Sequence, residues 1–541
     1  MHQRRLASLD EKTANNSIEF SGLQGSALSY ALAQVYAQCR RPLLLIVPTH
    51  KEALSLGEEL GFFLGQEKDV HIFPPLGILP YYGLSPNVDV VAHRMAFLEQ
   101  MRHRKEPWIG ILSLSSLMRR LPDPALWDRH SEYLVVGEEV DRESLLKNLI
   151  NAGYLNAPIV EDPGTFSRRG GILDLYSPQG PNPVRLEFFG DQLESMRTFD
   201  PESQRSLGEV EEIMILPARE VLFSDEYRKR AQHRFKEQAN EKGLASEIRE
   251  PFLESLKNEM MPPSLETYLP LFYPDLKDIF AYLPSQFVGI WIEPDLGKEH
   301  FDEILQEVDL GYQSCESPEK VVSPKELFLT WEEIEKGLEG NFPWRGRLLE
   351  TESTTHLFKT EGHEELSVRL RHAPLGEEML KPLVDRMGQW IEQGFKIGLV
   401  ASSHSQSLRL EDLLVRQGLS VQKTSQGFPQ FLNQETQSKR KIFLIEGHLA
   451  KGFVWPEEGL TLLTDQEIFG EKKRRRSVGR RTTETFTTFE ELGEGDFVIH
   501  EEHGLGLYHG LKSLDLDGQK NDFLLLEYMG GDKLYVPVYR L

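Results

Sequence analysis

Short apolar runs alternate with helical periodicity at the start of the chain. The apolar run PLLLIV at 42–47 lies between helical patterns at 25–39 and 51–64. A further apolar segment, VHIF at 70–73, continues the alternation. Because strands that alternate with helices pair mostly in parallel, we predict an α/β domain over residues 1–125.

The pattern then changes to a series of short strands. The segments GGILDLYSP, PVRLEFF and QLESMRTF have strand-like composition, and Gly190 and Asp191 lie between the last two as a turn signal. These features predict a small antiparallel α+β domain over residues 126–213. The next residues, 214–345, contain a charged helical stretch and then a strand at 287–292, which indicates a return to the α/β pattern.

Residues 346–471 repeat the α/β alternation. The apolar segments KIGLV, KIFLIEG and LTLLTD are typical of buried strands in a parallel sheet. Ser402 and Ser403 precede a helical pattern at 405–417, and we expect Gly418 to end that helix. We therefore predict a further α/β domain.

A basic stretch separates this region from an all-β segment. KKRRRSVGRR has seven basic residues in ten and no apolar periodicity, so we predict a linker over residues 472–489. The segments FVIH, GLYHGLKSLDL, DFLLLEYM and KLYVPV predict a small barrel or strongly bent sheet over residues 490–541. The chain stops inside an apolar, strand-like run, so we expect it to be the N-terminal part of a longer protein.

Charge and composition exclude several classes of protein. The net charge of −24 argues against a nucleic-acid coat and favours protein partners, since phosphate binding needs a basic surface. Two cysteines, Cys39 and Cys315, are too few for a disulfide framework or a cysteine-cluster metal site. No apolar run reaches the roughly 20 residues of a membrane helix, and the start has no secretory signal. We expect a cytoplasmic protein with no membrane partner.

The loop SGLQGSALSYAL, which begins at Ser21, is the best candidate for a phosphate loop. Gly22 and Gly25 fit such a loop, but Ala27 and Leu28 stand where the lysine and the Ser/Thr are needed, and no G-x-x-x-x-G-K occurs in the chain. The strand VGIWIEPDL ends with Glu293 and Asp295 rather than with an Asp-Glu pair. We therefore predict a nucleotide-binding fold that binds no nucleotide, and no cofactor for this chain.

Other catalytic and metal patterns are weak. HEEH at 500–503 has its histidines three apart in a strand-to-turn region, where a solvated turn is the favoured interpretation over a metal site. No Ser/His/Asp or Cys/His set can be argued for nucleophilic catalysis. We predict no catalytic residue and no metal ligand in this chain.

Two clusters have the composition of protein-binding surfaces. Three arginines lie beside two phenylalanines in the antiparallel domain, a combination typical of binding hot spots; they are Arg168, Arg169, Arg185, Phe188 and Phe189. The alternative is a core phenylalanine with arginines in surface salt bridges. The second cluster is the strand GLYHGLKSLDL, which is apolar on both faces and could capture a partner strand at a sheet edge, with a plain barrel core as the alternative.

These residues carry a resemblance to a known family. PGTFSRRGGILDLYSP, PVRLEFFGDQLESMRTFDPESQRS and ILPARE are similar to the damage-recognition subunit UvrB and more closely to the bacterial transcription-repair coupling factors. DFVIHEEHGLGLYHG and DFLLLEYMGGDKLYVPV resemble the coupling factors' RNA-polymerase-interacting domain, shared with CarD-type regulators. The order of both blocks in one chain is specific to the coupling factors.

The resemblance implies a multidomain α/β and α+β architecture. It comprises a degenerate UvrB-like domain 1a (1–125), a UvrA-binding domain 2 (126–213), domain 1b (214–345), an α/β domain 3 (346–471), and, after the linker, a Tudor-like barrel (490–541). It also implies a role in transcription-coupled nucleotide excision repair. ATP, Mg²⁺ and most contacts with double-stranded DNA would belong to a translocase motor absent from this chain.

The resemblance also assigns partner-binding residues. Those facing UvrA would be Arg169, Arg185 and Phe189. Those facing the β subunit of RNA polymerase would be Leu511, Leu514 and Leu516. Two other functions stay open at this point: an active UvrB-type or helicase-type ATPase, which the missing G-x-x-x-x-G-K disfavours, and a CarD-like transcription regulator.

Overall fold

A parallel seven-stranded sheet, here called the first sheet, organises the N-terminal two thirds of the chain. The computed structural model describes residues 17–39, 41–65, 68–178, 180–372, 380–424, 427–433, 442–470, 497–500, 504–516, 519–528 and 532–537. Strands are numbered β1–β24 along the chain, and the first sheet has the order β15-β1-β14-β13-β2-β4-β3, with every pair parallel. Its strands are β1 (Ile18–Ser21), β2 (Leu43–Val47), β3 (Val70–Phe73), β4 (Ile109–Ser113), β13 (Val288–Ile292), β14 (Trp344–Arg347) and β15 (His356–Leu357).

Helices follow the strands of this sheet, as the predicted alternation requires. Thr49 begins the second helix with a reciprocal capping box, in which its hydroxyl and the Glu52 side chain each satisfy a backbone N–H. The helices of this region are α1 (Ala27–Gln38), α2 (His50–Leu64), α3 (Val88–His103), α4 (Leu114–Leu117), α5 (Pro124–His130), α7 (Asp225–Glu241), α8 (Ser246–Lys257), α9 (Leu269–Phe272), α10 (Pro294–Ser314), α11 (Pro324–Leu327) and α12 (Trp331–Asn341). The α/β prediction for the start of the chain is confirmed.

The antiparallel domain is inserted between α5 and α7 on a two-stranded stem. The stem pairs β5 (Glu132–Val135) with β12 (Glu212–Ile215), so the chain enters and leaves the domain on neighbouring strands. The domain itself is a six-stranded sheet with helix α6 (Arg142–Asn151) on one face. Its strands, in the order β11-β10-β9-β8-β7-β6, are β6 (Leu155–Asn156), β7 (Thr165–Arg169), β8 (Ile172–Leu175), β9 (Val184–Phe189), β10 (Gln192–Phe199) and β11 (Ser206–Glu209).

Two buried ion pairs involve Arg219 and Glu220, the residues at which the chain leaves the antiparallel domain. Arg94 of α3 and Glu220 lie 2.7 Å apart between Nε and Oε1, with both side chains almost fully buried. Arg219 and Glu266 form a second pair at 3.0 Å. Charges removed from water in this way need partners, so the pairs hold the base of the stem against the helices of the first sheet.

A second α/β unit, residues 364–470, has a five-stranded sheet of order β17-β18-β16-β20-β19. Its strands are β16 (Lys396–Ala401), β17 (Val421–Lys423), β18 (Ile442–Glu446), β19 (Phe453–Trp455) and β20 (Leu460–Thr464). Its helices are α13 (Glu364–Arg371), α14 (Lys381–Glu392), α15 (His404–Arg416), α16 (Gly427–Asn433) and α17 (Asp465–Phe469). The side chain of Ser403 caps α15, and Gly418 follows its end, as predicted.

The second α/β unit shares an apolar core with helices α1 and α2. The ring of Tyr30 lies 5.8 Å from that of Phe428 and 5.9 Å from that of Trp455, and Phe63 lies 4.8 Å from Phe428. All four side chains are buried. The first sheet and the second unit therefore form one continuous hydrophobic layer.

The C-terminal segment is an antiparallel meander of order β21-β22-β23-β24. Its strands are β21 (Phe497–His500), β22 (Gly504–Leu516), β23 (Gln519–Glu527) and β24 (Lys533–Pro537). The predicted long strand is present as the 13-residue β22. No pairing between β21 and β24 closes the sheet within these described strands, so the sheet is open there and the closed barrel is not found. The predicted linker at 472–489 lies outside the described residues.

None of the helices in the described ranges combines the length and apolar character that crossing a lipid bilayer demands.

Candidate protein-interaction surfaces

One face of the six-stranded sheet is apolar and the other carries the predicted binding residues. Leu173, Leu186 and Met196 are buried in a core that includes Leu145 and Leu149 of α6. Side chains alternate along a strand, so the residues between these point to the opposite, outer face. The strand register aligns these outer-face residues in two rows across the sheet. The first row is Ser167, Asp174, Arg185 and Arg197, and the second row is Arg169, Ile172, Glu187 and Ser195.

Arg185 is held at the centre of this outer face by Asp174. Its Nε and Nη2 donate to the two carboxylate oxygens of Asp174 at 2.7 and 2.9 Å. The Asp174 side chain is only 3% exposed, and the guanidinium also lies over the ring of Phe199. The hydrogen bond to Asp174 raises the pKa of Arg185 above its usual range. Arg185 is therefore fixed in place, with 22% of its side chain open to a partner.

Glu187 makes a second polar group on the same face. It accepts hydrogen bonds from the Ser195 hydroxyl and from Arg197 Nη2, each at 2.7 Å. The hydrogen bond from Ser195, with the further one from Arg197, lowers the pKa of the Glu187 carboxyl. Arg185 and Glu187 are thus both held in ordered ion pairs on the outer face.

Phe189 and Arg169 lie where two hairpin tips meet. The β7–β8 and β9–β10 hairpins are joined there by a bond from Phe188 N to the Gly171 carbonyl at 2.8 Å. Phe189 is 76% exposed at the end of β9. Arg169 is exposed as well, and its Nη2 donates to the carbonyl of Pro158. An exposed aromatic ring and an exposed guanidinium at neighbouring hairpin tips are residue types enriched at binding hot spots.

The other two members of the predicted cluster have structural roles. Phe188 is buried in the domain core beneath the guanidinium of Arg142. Arg168 forms a surface ion pair with Glu143 at 3.0 Å. For these two residues the alternative interpretation, a core phenylalanine with an arginine in a salt bridge, is the one observed.

Sequence reasoning missed the charged residues that surround Arg185 on the outer face. Asp174, Glu187 and Arg197 were not singled out, although the segment ILDL carries a detectable signal. An acidic residue between two leucines in a buried strand needs a basic partner on the next strand. Only the register identifies that partner as Arg185.

The predicted polymerase-facing residues lie on β22. The register sets Leu511 opposite Leu524, Leu514 opposite Asn521, and Leu516 opposite Gln519. The side chains of the three leucines lie outside those that the structure describes. Among the described strands, β21 pairs only with the first four residues of β22, so the stretch that carries these leucines has β23 as its one ladder neighbour. An unpaired strand edge is a template for strand addition.

The predicted phosphate-loop positions carry no lysine. Ala27 is fully buried as the first residue of α1, and Leu28 follows it. Glu293, at the end of β13, accepts a hydrogen bond from the backbone of Leu348, and Asp295 pairs with Arg347. These carboxylates are therefore engaged by protein groups.

Metal-binding clusters are not found in the described part of the chain, where no three His, Cys, Asp or Glu residues converge on one point. Residues 501–503 of the HEEH segment lie outside the described residues. His509 beyond it pairs with Glu527, at 3.0 Å between Nε2 and Oε2. Cys39 and Cys315 are both buried, and neither forms a disulfide bond.

Two family models match the chain. Residues 133–221 match the UvrB interaction domain, and residues 492–541 match the CarD-like/TRCF RID domain. The first match covers the six-stranded sheet with the stem, and the second covers the C-terminal meander.

Curated relatives match almost the whole chain. The chain is 33% identical over 550 residues to a transcription-repair-coupling factor of Myxococcus xanthus, covering 98% of this chain and 46% of the relative. It is 28% identical to that of Escherichia coli and 24% identical to that of Bacillus subtilis, covering 96% of this chain and 44% of each relative. The chain thus spans less than half the length of these relatives. The predicted resemblance is confirmed.

Proposed function

Since the chain carries a UvrB interaction domain and a CarD-like/TRCF RID domain within one coupling-factor-like sequence, we propose that it is the adaptor part of a transcription-repair coupling factor. In this role it binds stalled RNA polymerase through its C-terminal domain and recruits UvrA through the antiparallel domain. The presence of both domains in that order is the observation that carries the proposal.

The UvrA contact is assigned to the outer face of the six-stranded sheet. Phe189 supplies an exposed aromatic anchor at one hairpin tip, and Arg169 supplies an exposed guanidinium at the neighbouring tip. Arg185 adds a rigid cation at the centre of the face, where its exposed part can donate hydrogen bonds to a partner carboxylate. The arrangement combines apolar area with charge-assisted hydrogen bonds, as interface hot spots commonly do.

The polymerase contact is assigned to the C-terminal domain, with the segment of β22 that carries Leu511, Leu514 and Leu516 as the strand edge that meets the β subunit. Among the described strands, that part of β22 pairs only with β23, so its other edge is open. This supports docking of the partner by strand addition or by side-chain contact at that edge. We propose that the complete domain is a small Tudor-like barrel, for which the open meander supplies four strands.

The proposed adaptor has no ATPase of its own. The absence of a lysine at Ala27 supports this, because a bound triphosphate would lack its main charge partner. ATP, Mg²⁺ and most of the contact with double-stranded DNA are assigned to a motor outside this chain, and the predicted location is the cytoplasm. The proposed domain limits remain 1–125, 126–213, 214–345, 346–471, 472–489 and 490–541.

A bridging experiment tests the proposal. The immobilised chain is offered purified UvrA, core RNA polymerase, or both together, and each is expected to bind without displacing the other. A variant carrying Arg169→Ala and Phe189→Ala should lose UvrA while it retains polymerase. Leu207→Ala is the matched control, because Leu207 is exposed on β11 at the opposite end of the β9–β10 hairpin. Equal UvrA binding by the folded double variant would refute the assigned surface.

A further inference from the structure

The loop between β1 and α1 has the form of a phosphate-binding loop but contacts protein instead. Gly22 and Gly25 both have positive φ, at +83° and +55°. A Cβ on Gly22 would lie 2.1 Å from the carbonyl oxygen of Phe358, and one on Gly25 would lie 2.5 Å from that of Gly452. In phosphate loops such glycines let the backbone approach an anion. Here they let it approach two later segments of the same chain.

Residues from two later segments of the chain form hydrogen bonds with this loop. The carbonyl of Lys451 accepts from the Ser26 backbone N–H at 3.1 Å and from the Ser26 hydroxyl at 2.6 Å. The Thr360 hydroxyl accepts from Gln24 N at 2.7 Å and donates to the carbonyl of Gly22 at 2.8 Å. Ser26 immediately precedes α1, where unpaired N–H groups and the helix dipole favour negative charge.

A buried carboxylate completes the contact. Glu59 of α2 is 6% exposed, with one carboxyl oxygen 2.7 Å from the hydroxyl oxygen of Ser26 and the other accepting a hydrogen bond from the hydroxyl of Ser29. It also accepts from the backbone N–H of Ala450 at 3.0 Å. Glu59 thus ties α1, α2 and the second α/β unit together at one point. Burial raises the pKa of the Glu59 carboxyl, and the hydrogen bonds from Ser29 and from the Ala450 backbone oppose that shift.

We propose that this loop is an intramolecular latch, in which the Glu59 carboxylate and the Lys451 carbonyl occupy the place that a phosphate group takes in a nucleotide-binding loop. The latch joins the first sheet to the second α/β unit as one mechanical body. Residue 470 ends the described part of that unit, and the chain continues from there toward the C-terminal domain. A force applied at that end is therefore passed to the first sheet rather than lost at a movable junction.

Amide hydrogen exchange of the full chain tests the latch. Glu59→Gln keeps the size of the side chain but replaces one carboxyl oxygen with an NH₂ group. That NH₂ group then faces a hydrogen-bond donor, and one of the hydrogen bonds to this side chain is lost. We expect exchange to accelerate in both partner segments, 22–30 and 447–455, by at least about tenfold, the factor for losing one hydrogen bond to a charged group. Peptides from the six-stranded sheet should exchange as in the unchanged protein.

Two further variants keep the result interpretable. Ser29→Ala removes one donor and should give a smaller acceleration in the same two segments, which decides the matter if Glu59→Gln does not fold. Glu254→Gln, at an exposed position of α8, is the matched control and should change neither segment. Unchanged exchange in both segments of a folded Glu59 or Ser29 variant, or acceleration confined to one segment, would overturn the proposal.

Discussion

Arg185 and Asp174 face each other across β9 and β8, and two parallel hydrogen bonds join the guanidinium to the carboxylate. Because the Asp174 side chain is 3% exposed, removing Arg185 leaves a buried charge without its partner. Arg185→Ala should therefore lower the free energy of unfolding by about 3–5 kcal/mol, to be measured by chemical denaturation.

The paired variant Arg185→Leu with Asp174→Leu is the control for this prediction. It removes both charges together, so it should be closer in stability to the unchanged protein than Arg185→Ala is. Equal destabilisation by the single and paired variants would show that the pair is not what stabilises the strands. The effect also means that loss of UvrA binding by Arg185→Ala must be corrected for the folded fraction.

Phe189→Ala should separate binding from stability. The ring is 76% exposed, so its removal should change the free energy of unfolding by no more than about 0.5 kcal/mol. UvrA affinity, measured by titration calorimetry, should fall at least about tenfold if the ring is an interface anchor. Phe188, the neighbouring residue, is buried, so Phe188→Ala should instead lower the free energy of unfolding by about 3–5 kcal/mol.

The chain should bind no Mg-ATP in a calorimetric titration. Ala27 replaces the phosphate-binding lysine, and the loop before α1 is filled by the carbonyls of Phe358, Lys451 and Gly452. A dissociation constant in the micromolar range would contradict this expectation.

Leu514→Arg should weaken binding of the chain to the polymerase β subunit by at least about tenfold, because it introduces a charge into the predicted contact. Lys512→Arg, two residues earlier on β22, is the matched control and should bind as before. The assignment fails if Leu514→Arg is folded by circular dichroism and still binds equally well.

His363 should make the second α/β unit sensitive to acid. It is buried, its Nε2 lies 2.7 Å from the carbonyl of Leu462, and burial lowers its pKa. Below the ordinary histidine pKa of about 6.5, His363 is protonated in the unfolded chain but not in the folded chain. The free energy of unfolding therefore decreases as the pH is lowered.

The measurement compares thermal unfolding at about pH 7.5 and about pH 5.5, on either side of that ordinary value. His363→Gln should be less stable at the higher pH, because packing is lost, but should lose less on acidification. The exposed His233→Gln serves as control and should behave like the unchanged protein. An unaltered acid loss in His363→Gln would assign the effect to other groups.

Local pattern was sufficient to predict some of the strands, turns and helix ends. The run at 42–47, the turn at Gly190 and Asp191, and the helix that ends before Gly418 were all predicted, because each depends on neighbours in the sequence. The exposed part of the proposed interaction surface, Arg169 and Phe189, was named from composition and resemblance.

Long-range pairing could not be predicted in the same way. Tyr30 and Phe63 are plainly apolar, but periodicity does not reveal that their partners are Phe428 and Trp455, some 400 residues later. Glu59 has the local sequence of a solvated helix residue, and only the tertiary fold brings Ala450 against it. The partner of Asp174 likewise depends on strand register, which one residue of slip would change.

The two-stranded stem makes the antiparallel domain a detachable cassette. Glu132 and Ile215 are register partners, so the ends of everything between them already lie side by side. A short turn could join the ends after excision, and a foreign domain with adjacent termini could replace the original, without moving a strand of the host sheet. Recombination can therefore exchange one recognition module for another while the body that carries it keeps its fold.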